Sequence, residues 1–71
     1  VALAGVRGVR IPFVGAVVLY TLDNSNSAAI VTNTESGNVC LVVFSKWGHE
    51  VRFIDFVQYG WGEGMWHWPD E

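Results

Sequence analysis

Along this chain the apolar residues come in short β-branched and aromatic runs, broken by clusters of Asp, Asn, Ser and Gly, which is the patterning of strands and tight turns. The first strong run is "GAVVLYTL" (15–22). Polar "DNSNS" (23–27) follows as a loop, and "AAIVTN" (28–33) is the second strand. "TESGN" (34–38) is a turn in which Gly37 and Asn38 supply positive φ. "VCLVVF" (39–44) is the third strand, and "SKWGH" (45–49) is a turn around Gly48. Alternation is clearest in "EVRFIDFV" (50–57), with Val51, Phe53 and either Asp55 or Val57 on one face and Arg52, Ile54 and Phe56 on the other. "YGWGEG" (59–64) is a glycine-rich loop, and "MWHW" (65–68) is a last short strand stopped by Pro69, which cannot donate to a ladder.

No helix is predicted. Short strands joined by tight turns describe an all-β chain, a small five-stranded bent barrel or meander of the Src-homology-3-like kind. Residues 14–71 form the single domain. Residues 1–13 are an N-terminal extension in which "RIPFVG" reads as extended chain.

In two of these strands alternation fails. Val39, Leu41 and Val43 are apolar, and so are Cys40, Val42 and Phe44; Val17 and Leu19 are apolar, and so are Val18 and Tyr20. A strand that is apolar on both faces needs cover on both. One small domain covers one face, so a second copy of the chain is the economical source of the other, and a homo-oligomer is expected. Composition agrees, since 51% of residues are hydrophobic and only 15% charged, while a domain of this length buries only about 60% of its unfolded surface. Cys40 is the single cysteine, so no intrachain disulfide supplements the core; in its apolar setting it reads as a buried small hydrophobe. His49, His67 and Cys40 are scattered without metal-ligand spacing, so no metal and no cofactor is expected.

The net charge of −3 argues against binding long nucleic acid, which needs a stripe of Lys and Arg. A small nucleotide is different, because one arginine and a few backbone N–H groups hold one or two phosphates. No stretch is long and apolar enough for a membrane helix, and "VALAGVRGVR" is interrupted by arginines and glycines, so a cytosolic chain is expected.

The densest chemistry lies in "GMWHWPDE". Trp66 and Trp68 alternate with His67, so the two indoles face one way and the imidazole the other. Either the indoles stack on a flat ligand or they plug the end of the core. His67 either donates to a phosphate or carbonyl or is satisfied by backbone. Trp61, between Gly60 and Gly62, is harder to bury and better placed as a contact. Arg10, beside "IPF", is the candidate phosphate ligand; the alternative is an ion pair between the chain's arginines and carboxylates such as Asp55 or Asp23. Tyr20 completes the candidate set Arg10, Tyr20, Trp61, Trp66, His67 and Trp68. No carboxylate pair, nucleophile elbow or Cys-His pair points to catalysis.

The succession "VGAVVLYTL", "AAIVTN", "VCLVVF", a V-x-Y step at Val57-Gln58-Tyr59, a glycine-rich loop and "WHWP" with an acidic residue resembles a family of small proteins encoded by tailed bacteriophages and prophages. Their common form runs V-G-x-I-V-x-Y, R-A-A-I-V-T, V-x-L-x-V-F and G-T-W-H-W-P-E. The resemblance covers residues 14–71, and W-H-W-P is its most specific element. Ser27 stands where many relatives carry Arg, and residues 1–13 extend beyond the usual start. The resemblance implies a phage origin. Within it, the expected function is a non-catalytic sponge in the host bacterial cytoplasm that sequesters a cyclic nucleotide or cyclic ADP-ribose immune signal. The alternative is a virion structural protein, a capsid decoration or connector; a third reading is an inhibitor of a host enzyme anchored by Trp61 and Trp66.

Overall fold

Valine, isoleucine and threonine fill the extended segments, and the first two connections between them need only two residues each. The computed structural model describes residues 10–45, 48 and 50–71. The expectations for residues 1–9, which include Arg7, and for Lys46, Trp47 and His49 lie outside the described residues. Five strands form: β1 (Val17–Leu22), β2 (Ser25–Glu35), β3 (Asn38–Phe44), β4 (Val51–Val57) and β5 (Trp66–His67). They make one antiparallel sheet in the order β4-β3-β2-β1-β5, and no helix is present among the described residues.

The expected five-residue loop at 23–27 is a two-residue turn. Asp23 and Asn24 both take positive φ (53° and 62°), the geometry whose twist matches a hairpin, and Asn and Asp are the non-glycine residues that tolerate it best. Ser25–Ser27 therefore belong to β2, with Leu22 opposite Ser25 and Tyr20 opposite Ser27. The next turn uses Ser36 (φ 51°) and Gly37 (φ 87°), one position earlier than the sequence suggests. Asn38 already opposes Glu35.

Two bulges bend the sheet. β2 carries an extra residue between Val31 and Asn33, and the Thr32 hydroxyl there donates to the Cys40 carbonyl at 3.2 Å. β4 carries another: Val57 opposes Val39, while Ile54 opposes Leu41, with Phe56 between them at φ 55°. Ile54 and Val57 consequently share the inner face, which corrects the strict alternation expected for this strand. The bending brings the chain beyond β4 round to β5, where Trp66 N–H donates to the Gln58 carbonyl (3.1 Å) and Gly60 N–H donates to the Trp66 carbonyl (2.8 Å). This contact is a single parallel bridge between Tyr59 and Trp66. The sheet is bent but not closed, so the meander forms and the closed barrel does not.

The inner face holds the core. Val18, Ala29, Val31, Leu41 and Val43 come from the three central strands, and Trp66 and Trp68 close it from the C-terminal end. Opposite them, Val17, Ile30, Val42 and Phe53 are aligned directly across β1, β2, β3 and β4. Leu19 lies between Ala28 and His67 on the same outer face. Cys40 is only half-buried, so its assignment to the core is corrected: by the pleat it belongs to the outer face, away from Leu41.

Candidate functional site: an aromatic cleft at the C-terminus

The sequence "GMWHWPDE" is held from both sides. Thr21 N–H donates to the Met65 carbonyl (3.0 Å) and Gly64 N–H to the Thr21 carbonyl (2.8 Å), which ties β5 to β1. The Glu63 carboxylate accepts from the backbone N–H groups of Asp23 (2.6 Å) and Asn24 (3.3 Å), fastening the glycine-rich loop to the first hairpin. Gly60 leaves room for Met65: a Cβ there would run into the Met65 side chain and oblige it to shift.

These restraints aim Trp66 inward, opposite Tyr20, where it is 1% exposed. Trp68 follows on the same face. The two indoles meet edge to face with centroids 5.4 Å apart, and Tyr59 meets Trp66 the same way at 5.0 Å, the arrangement that aromatic quadrupoles favour. Arg10 lies over Trp68, its Cζ 4.1 Å from the ring centroid, and its Nη1 pairs with Asp70 Oδ1 at 2.6 Å. The Tyr59 hydroxyl donates to Glu71 Oε1 at 2.6 Å.

Between these groups opens a cleft of about 430 Å³ lined by Arg10, Ile11, Pro12, Gly37, Tyr59, Trp66, Trp68 and Glu71. That volume lies in the range of small-molecule sites. It sits within one chain. Trp66 Nε1 is buried with no hydrogen-bond acceptor among the described residues. The guanidinium beside Asp70 holds that carboxyl below the usual carboxylate range, chiefly by donating a hydrogen bond to it. Tyr59 is pushed the other way, because Glu71 accepts its proton in a hydrogen bond that ionisation would break.

Three of the six candidate residues, Arg10, Trp66 and Trp68, line this cleft, the two indoles as core residues 1% and 4% exposed that plug the end of the core. The other three do not. Tyr20 is a core residue, an outcome its place in a strand apolar on both faces already allowed. His67 is on the outer face, 2% exposed, under the Trp61 indole, which stacks on it with centroids 3.8 Å apart and planes 19° from parallel. Its Nδ1 has no partner among the described residues, so backbone does not satisfy that atom. Trp61 remains 56% exposed. The partner of Arg10 is Asp70, and not Asp55 or Asp23.

Sequence reasoning missed Tyr59, Asp70 and Glu71. The V-x-Y step and the acidic end were both visible, but nothing in them signals that the chain after β4 crosses to meet its own C-terminus. Among the described residues no three His, Cys, Asp or Glu side chains stand together to hold a metal ion, and no helix is long and apolar enough to cross a membrane. No family model, curated protein or solved structure matches this chain.

Proposed function

We propose that this chain is a non-catalytic binding protein that takes a flat, phosphate-bearing small molecule in the aromatic cleft, and that it serves a phage by sequestering a host cyclic nucleotide or cyclic ADP-ribose signal in the bacterial cytoplasm. In this reading the bent sheet is an SH3-like scaffold that carries the cleft on its rim. One observation carries the proposal: an arginine stands at a cleft walled by two tryptophans and a tyrosine. The two indoles form the floor of the cleft as core residues, 1% and 4% exposed, so the ring available to stack on a base is Tyr59, 49% exposed, a contact worth about 1–3 kcal/mol. Arg10 is the group that takes the phosphate.

Asp70 already occupies Arg10, but this does not block the site. The two side chains are 45% and 70% exposed, and such a pair is worth only about 0–1 kcal/mol, so a phosphate displaces the carboxylate at little cost. Glu71 can accept a hydrogen bond from the exocyclic amine of a base.

The test is a thermal-shift and tryptophan-quenching titration with cyclic di- and trinucleotides and cyclic ADP-ribose isomers. Binding raises the melting temperature by mass action, and heating releases the ligand intact. Arg10→Ala is expected to weaken binding about tenfold, the worth of one charge-assisted contact, with little change in the melting temperature of the free protein. The virion structural reading is favoured by the apolar outer face along Val17, Val42 and Phe53. It becomes the better one if no nucleotide shifts the melting curve and the chain is found in washed particles.

A further inference from the structure

The two edges of the sheet are unlike. β5 is two residues long, and the chain itself takes up its outer side through the Gln58 and Gly60 hydrogen bonds to Trp66. β4 runs seven residues, and among the described residues no backbone hydrogen bond outside the strand ladders reaches its far side. Three of its exposed side chains are apolar, Val51, Phe53 and Phe56, with Phe53 at 77% exposure, and they stand beside exposed Arg52 and Asp55. Lys and Pro are absent from this edge; Arg52, Asp55 and the bulge at Phe56 are the guards it does carry, and the stretch Val51–Ile54 ahead of the bulge is regular enough to accept a partner strand.

We propose that a second copy of this chain covers this edge, β4 pairing antiparallel with the partner's β4 about a two-fold axis at Phe53, so that the two sheets become one. That register is favoured over its neighbours by what it sets opposite Phe53 and by what it leaves out at Phe56. Directly opposed residues of a self-paired strand share a face, so the axis passes through a residue and not between two. On Arg52 or on Asp55 it would set like charges against each other. On Ile54 it sets Phe53 against the partner's Asp55 and brings the left-handed Phe56 (φ 55°) into the ladder. On Phe53 it sets ring against ring, leaves the left-handed Phe56 outside the ladder and opposes no like charges, at the expense of placing the smaller Val51 against the partner's Asp55. That register also continues the outer row Val17, Ile30, Val42, Phe53 directly into its copy. Strand pairing of this kind satisfies the free N–H and C=O groups of the edge and covers the largest exposed aromatic on the strand in one step.

The interface shares no residue with the aromatic cleft, so the dimer and the ligand reading stand or fall separately. The experiment uses the full 71-residue chain without ligand. Sedimentation equilibrium at micromolar concentration is expected to give twice the 7.9 kDa chain mass. Phe53→Lys is expected to raise the dimer dissociation constant more than about a hundredfold while the monomer stays folded, because the ring contributes nothing to the core. In a Cys40→Ala background, Phe53→Cys is expected to cross-link to its copy under mild oxidation, since opposed strand residues lie within disulfide reach, and Asp55→Cys is not. A wild-type monomer overturns the proposal, whether the edge is then bare or covered by residues 1–9. So does a dimer that survives Phe53→Lys, or one in which Asp55→Cys cross-links and Phe53→Cys does not.

Discussion

Val18, Val31, Leu41 and Val43 point to one side of the sheet, and Val17, Ile30, Val42 and Phe53 point to the other. The two sets are equally apolar and, Phe53 of β4 apart, come from the same strands, yet the first is dry while in the second Val17 and Phe53 are exposed and Ile30 and Val42 are half-buried. The difference lies in what the rest of the chain can reach. β5 joins the sheet edge opposite Tyr20, and its alternation delivers Trp66 and Trp68 to the inner face together, two large indoles that complete a core the valines alone would leave thin. Among the described residues the outer face receives Trp61, which covers His67 at one end, and β5 closes the inner face alone.

That contrast can be broken most severely from the inside. Trp66→Ala removes the largest fully buried side chain and is expected to cost about 3–5 kcal/mol. In a domain this small that is most of the stability, and urea denaturation should show a chain largely unfolded at room temperature. Neighbouring residues on β3 sharpen the comparison. Leu41→Ala on the inner face is expected to cost about 2–5 kcal/mol, whereas Val42→Ala on the outer face should cost about 1 kcal/mol or less in the monomer. Equal losses would mean the outer face is covered within one chain. Gly37 sits at φ 87° with open space around it, so Gly37→Ala meets no clash and only backbone strain, and a loss of about 1 kcal/mol is expected. Cys40→Ser should have a smaller effect still, because the half-buried thiol can be replaced without stranding a hydroxyl in the core.

The smallest expected effects are at the rim of the cleft, and they depend on pH. Asp70 has a folded pKa below its ordinary 3.8, so its pairing with Arg10 stabilises fully above that value and is lost as the pH falls through the lowered one. Tyr59 has a folded pKa above its ordinary 10.0, so its bond to Glu71 stabilises fully below that value and is lost as the pH rises through the raised one. A shallow plateau of stability between these limits is expected. Arg10→Ala should remove the acid decline contributed by Asp70, and Tyr59→Phe the alkaline one, each seen in melting temperature against pH.

The sequence by itself determined the strands, their antiparallel character and the presence of apolar residues on both faces of β1 and β3, because β-branched runs between Asp, Asn, Ser and Gly leave the backbone few other options. It also showed that Trp66 and Trp68 share a face, since alternation is a property of any strand. Only the tertiary structure decided which face. The bulges at Thr32 and Phe56 arise from how long strands accommodate bending, and no local residue preference announces them. They set Ile54 and Val57 on the same side and carry Tyr59 across to β5. That crossing brings Tyr59 to Glu71, while the chain entering β1 brings Arg10 to Asp70 and Trp68. These contacts join residues far apart in the chain or on either side of a bend, and pattern along a sequence records only which neighbours alternate, not which distant segments meet.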